Sequence, residues 1–91
     1  SGTYISEILG GSRLVFPLKD EKEKRLFNIV EEMSIASGVP VPHIFVLRGE
    51  TGINAFAAGI TKESLSVAVT AGALEHLDRD ELQAVIAHEF S

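Results

Sequence analysis

Cysteine is absent from these 91 residues. That excludes disulfide staples, a thiol nucleophile and thiolate metal sites. Cations are scarce: 8 Lys and Arg stand against 13 Asp and Glu, for a formal net charge of −5. Clustered cations are what holds a phosphate backbone, so a nucleic-acid partner is not expected. No stretch approaches the roughly 18 apolar residues a membrane-spanning helix needs. No basic segment leads into an apolar one at the start, so no signal peptide is read there. An initiating Met is missing too, and the text stops within a predicted helix. The expectation is a piece of a longer protein, about whose membrane segments this piece says little. Repeats, low-complexity tracts and linkers are also lacking. What remains is ordinary globular material, 45% apolar and 23% charged, which argues against disorder and suits one small domain or part of one.

Residues 1–17 are the least patterned. Tyr4, Ile5, Ile8 and Leu9 are spaced as one helical face that Gly10-Gly11 would end, with Leu14 to Phe16 as a short extended piece. A helix is predicted from Asp20 to Ser37. Asp20 and Glu23 form a D-x-x-E capping box, and Leu26, Ile29, Val30 and Met33 make an apolar stripe. Gly38 is a natural stop and Pro40 blocks continuation. Ile44 to Leu47 reads as a buried strand, residues 48–52 as a loop, Ile53 to Ile60 as extended and Thr61 to Ser64 as a polar turn. Leu65 to Thr70 alternates apolar and polar, a period-two strand. A helical turn follows from Ala71 to His76. Asp78 and Glu81 form a second capping box, ahead of a last helix with Leu82, Val85, Ile86 and Phe90 on its apolar face. The class is α+β, with about three short strands. Their short connections make at least part of the sheet antiparallel.

The chemistry lies in His88-Glu89-Phe90-Ser91, the first four letters of H-E-x-x-H. In the full motif two His one helical turn apart ligate zinc, and the Glu takes a proton from metal-bound water. The dipeptide alone reads first as a polar pair at a frayed helix end. The apolar flank Val85-Ile86-Ala87 places it on a helix meant for burial, where such a pair needs partners. His43 reads as a half-exposed strand entry. His76 sits near a helix C-terminus, where the macrodipole favours a cation. Glu75, Asp78, Asp80 and Glu81 serve capping and solubility, without EF-hand spacing. No phosphate-cradling loop and no G-x-S-x-G elbow is present.

Three segments in order carry a wider likeness: Asn54-Ala55-Phe56-Ala57-Ala58-Gly59, Val67-Ala68-Val69-Thr70, and Glu81 through Ser91 with Ala87-His88-Glu89-Phe90 at its end. Together with the helix Arg25 to Gly38, they resemble the HtpX and CAAX-prenyl-protease family of zinc metalloendopeptidases, over about residues 20 to 91. The resemblance implies a gluzincin fold. His88 maps as the first zinc ligand and Glu89 as the general base. The second His would follow Ser91, and a Glu ligand would lie on a later helix. The chain is then expected to be the N-terminal part of a catalytic domain (20–91) behind an arm or juxtamembrane connection (1–19). With one imidazole it is expected to hold zinc poorly and to be inactive.

By the same likeness, Asn54, Ala55 and Phe56 border the cleft and bind substrate by strand addition, with the small alanines admitting a peptide closely. An Ala-rich strand packed under a helix explains those alanines equally well, and Asn54 can equally cap the turn after Gly52. The implied partner is a peptide or protein substrate. The implied parent is a membrane protein with a cytoplasmic catalytic domain, the piece itself being soluble and prone to self-association through exposed surfaces. The alternative is a non-catalytic α+β interaction module in which His88-Glu89 is incidental.

Overall fold

Asp20 opens the first long helix as the sequence predicts. Its carboxylate accepts from the Glu23 N–H at 3.2 Å, satisfying one of the donors that a helix start leaves bare. The computed structural model describes residues 10–59 and 64–90. The expected helical face of Tyr4, Ile5, Ile8 and Leu9 lies outside the described residues, as do residues 61–63 of the polar turn. Helix α1 runs Glu21–Ser37 and ends at Gly38, whose φ of 72° is the left-handed conformation glycine adopts freely. Val39 N–H returns to Ser34 O at 3.1 Å, closing the helix end. Only half of the expected capping box forms, because the Glu23 carboxylate pairs with Arg48 at 2.9 Å instead.

Four strands follow the α+β expectation: β1 (Gly11–Arg13), β2 (His43–Leu47), β3 (Ala55–Ala58) and β4 (Ser66–Thr70). Two short helices complete the fold, α2 (Ala71–His76) and α3 (Arg79–Phe90). Strand β1 lies earlier than the expected extended piece. Gly11 to Arg13 pair with Phe45 to Leu47, and the chain leaves the sheet at Val15, which is 79% exposed. Backbone pairing with β2, rather than the apolar run Leu14-Val15-Phe16, sets that strand.

The strands stand in the order β1-β2-β4-β3. β1 and β3 run antiparallel to their neighbours, while β2 and β4 are parallel, from His43 opposite Ser66 to Leu47 opposite Thr70. The sheet is therefore mixed. Strand β4 inserts between β2 and β3, and β3 itself serves as the crossover between the parallel pair. Burial accounts for this order: all five residues of β4 are buried, whereas Ala-rich β3 has less apolar surface to hide and takes the edge. It also corrects the period-two reading of β4. Ser66 and Thr70 are buried with their apolar neighbours, so the polar positions of this interior strand do not make a solvent-facing side.

The main core lies between one sheet face and the helices. Leu26, Ile29 and Val30 of α1 and Leu82 and Ile86 of α3 meet Ile44, Val46, Val67 and Val69. Each such side chain contributes about 1.5–3 kcal/mol by leaving water. Phe45, Leu47, Ala68 and Phe56 cluster on the opposite face. Arg79 pairs with Glu32 at 2.7 Å and Lys22 with Glu75 at 3.2 Å, fastening α3 and α2 to α1 at the surface. The charged face of α1 is thus partly engaged rather than wholly solvated.

Candidate active site

Helix α3 begins with a complete capping box. Asp78 N–H donates to Glu81 Oε1 at 2.9 Å, and Glu81 N–H donates to Asp78 Oδ1 at 2.8 Å. This fixes the helix start, and buried Leu82 and Ile86 fix its rotation about the core. Positions 84, 85, 88 and 89 then border a cleft of about 360 Å³, whose other wall is Ile53, Asn54 and Ala55. His88 is exposed and Glu89 half-buried. The burial expected of this pair from its apolar flank is therefore incomplete, because residues 88 and 89 border the open cleft, while Val85 both borders it and packs against the core.

Across the cleft lies the outer edge of β3. Thr70 N–H donates to Asn54 O at 3.0 Å, so Asn54 and Thr70 are a hydrogen-bonded pair of the antiparallel ladder. Such pairs alternate. Ala55 and Ala57 consequently turn their N–H and C=O groups away from β4, toward the edge. Both outward N–H groups are occupied: Ala55 N–H by Asn54 Oδ1 at 2.9 Å, and Ala57 N–H by Glu89 Oε1 at 3.2 Å. The candidate base is thus tied to the candidate substrate strand through one carboxylate oxygen. The structure brings Glu89, His88, Asn54 and Ala55 to one cleft. Phe56 lies elsewhere, with the cluster on the opposite sheet face.

Two residues that sequence reasoning missed hold this edge in place. The Thr70 hydroxyl accepts from Asn54 N–H and from Ala73 N–H, both at 3.1 Å, and donates to Gly52 O at 2.6 Å. It caps α2 and anchors the loop into β3 at once. A Thr directly before a helix is a capping signal that the sequence did offer. Gly72 permits the loop to approach: a Cβ there would lie 2.1 Å from Thr51 O and 2.4 Å from Gly52 O. The Ala57 N–H has no sequence signature, being a backbone group.

Among the described residues, no three His, Cys, Asp or Glu side chains group as a metal site. The His88 imidazole at the cleft suits zinc as a ligand, but with only the Glu89 carboxylate beside it the donors are short of a zinc site. His43, expected half-exposed, is exposed at a strand entry, and His76 is exposed at a helix end.

The sequence profile of Peptidase family M48 matches residues 20–91. The chain belongs to this family. A protease HtpX homolog of Thermoanaerobacter pseudethanolicus is 45% identical over 75 residues, covering 82% of this chain and 25% of the relative. That of Listeria welshimeri is 42% identical over 89 residues, covering 98% and 29%. Protease HtpX of Haemophilus ducreyi is 37% identical over 81 residues, covering 89% and 28%. This M48 chain therefore spans under a third of the length of these relatives. Among its described residues, no helix is long and apolar enough to cross a membrane.

Proposed function

We propose that this chain supplies the base and one metal ligand of a zinc endopeptidase site, together with the strand on which the peptide substrate lies. One observation carries the reading: the carboxylate of Glu89 is held by the edge amide of Ala57 while His88 borders the same cleft. The family match and the relatives named protease support it. His88 would hold the zinc, with further ligands from residues beyond this chain. A zinc ion held there would supply Lewis acidity, making a coordinated water more acidic and polarising the scissile carbonyl.

The chain's own residues do the rest. The substrate adds along the edge of β3, donating its N–H groups to the outward carbonyls of Ala55 and Ala57. The Ala57 N–H fixes Glu89 Oε1, leaving Oε2 to receive the water's proton and pass it to the leaving amine. Small side chains at 55 and 57 let the peptide approach the helix. For the intact protein we infer peptide or protein substrates and a membrane location, which the family membership and the relatives named protease support.

The test is Glu89→Gln in a chain long enough to carry every ligand. Peptide hydrolysis should fall at least about a hundredfold while zinc content is unchanged, because the amide oxygen still accepts from Ala57 but takes no proton. Retained hydrolysis would remove Glu89 from its role. A longer chain with neither zinc nor hydrolysis would leave β3 as the edge of a non-catalytic interaction module.

A further inference from the structure

The cleft beside Glu89 has a counterpart on the other face of the sheet. A hollow of about 360 Å³ is walled by Leu47, Ile53 and Phe56, with Glu50 and Thr70 at its border. Asn54 lines both hollows. From Phe56 at the edge strand, the hollow crosses the end of β4 at Thr70 and reaches Leu47 at the end of β2.

Glu50 is the charged residue of this hollow, and among the described residues no cation pairs with it. Neighbouring Arg48 is committed to Glu23 at 2.9 Å and to the Ser12 hydroxyl at 3.3 Å. No ion pair among the described residues includes Glu50. Its backbone is fixed all the same: its N–H donates to Leu47 O at 3.2 Å and its carbonyl accepts from Gly72 N–H at 3.0 Å. A fixed backbone thus carries a carboxylate at the border of a hollow walled by apolar side chains.

We propose that this hollow is a specificity subsite for a long side chain with a cationic end, Arg or Lys, of the peptide lying on β3. The inference rests on the strand-addition reading above. A peptide strand would lie about 4.8 Å outside β3, with its side chains alternating between the two sheet faces. Side chains on one face meet the Glu89 cleft. Those on the other meet Phe56 and the hollow. Leu47 lies two strands inward from β3 and three from that peptide, roughly 14 Å, beyond the reach of one side chain, and it is buried. A Lys or Arg stem instead lies along Phe56 and Ile53 at the outer part of the hollow and turns its head toward the Glu50 carboxylate. Because Asn54 belongs to both hollows, the basic residue falls within one or two positions of the residue facing Glu89.

The experiment uses the isotope-labelled chain and short extended peptides of Ala and Thr with a central Lys, Arg, Met or Glu. Amide shifts of Ala55 and Ala57 report strand addition, and those of Ile53 and Phe56 report the hollow. The Lys and Arg peptides should bind about three- to fivefold more tightly than Met, as expected of one partly exposed ion pair. Glu50→Gln should erase that preference, and Glu50→Lys should shift it to the Glu peptide. Both replace an exposed side chain with no partner among the described residues, so the fold is retained. Equal binding of Lys and Met peptides, or a preference untouched at Glu50, would overturn the subsite while the Ala57 shift upheld strand addition. No shift at Ala55 or Ala57 with any peptide would overturn strand addition, and the subsite with it.

Discussion

Thr70 and Gly72 show how single residues position the candidate site without entering it. Thr70→Ala removes a helix cap and the anchor of residues 52–54 together, and should cost about 1–2 kcal/mol. Thr70→Ser keeps the hydroxyl and should cost much less. Urea denaturation of the two variants checks this, and equal losses would mean the methyl group matters rather than the oxygen. Gly72→Ala drives a methyl group into the backbone of Thr51 and Gly52. It should cost about 2–3 kcal/mol, lowering the melting temperature by roughly 10 °C or more in a domain of this size. An unchanged melting temperature would show that the loop moves aside freely.

Among the elements, α3 is the one whose placement matters most, since it carries both His88 and Glu89. Its capping box is complete, unlike that of α1. Asp78→Ala should therefore destabilise the chain by about 1 kcal/mol, measurable by thermal denaturation, with Glu81→Ala close to it because the two residues form one reciprocal unit. Both helices were legible in the sequence, because caps, apolar stripes and the Gly38 stop are local signals. Strand order was not. The parallel pairing of β2 with β4 joins residues 23 apart in sequence, His43 with Ser66, and only the burial of the whole sheet decides it. The site was legible in the same proportion. His88 and Glu89 could be read as letters of a motif, and Asn54 and Ala55 from a likeness. The amide of Ala57 and the anchoring of the loop by Thr70 depend on tertiary contact and could not.

At the scale of the molecule, two surfaces compete to explain the self-association expected of this chain. The edge of β3 is the obvious template, yet its outward N–H groups already serve Asn54 and Glu89, which blunts strand pairing between copies. Val15, Phe16 and Val41 are exposed by 79%, 58% and 44% and are apolar; Phe16 and Val41 border the same small hollow. Association should run through that patch. Sedimentation at high concentration should show Phe16→Ser lowering the average mass. An unchanged mass for Phe16→Ser, with a rise for Asn54→Ala, which frees the Ala55 N–H, would assign the contact to the strand edge.

The bond between Ala57 and Glu89 also makes the chain readable without turnover. An edge-strand amide with no ladder partner ordinarily trades its proton for deuterium quickly, whereas those of β4 are shielded inside the sheet. The Ala57 amide is retained by a carboxylate alone, so its exchange rate measures how much of the time that carboxylate is seated. Any ligand or substitution that draws Glu89 away from the strand will register there as faster deuteration of one assigned proton.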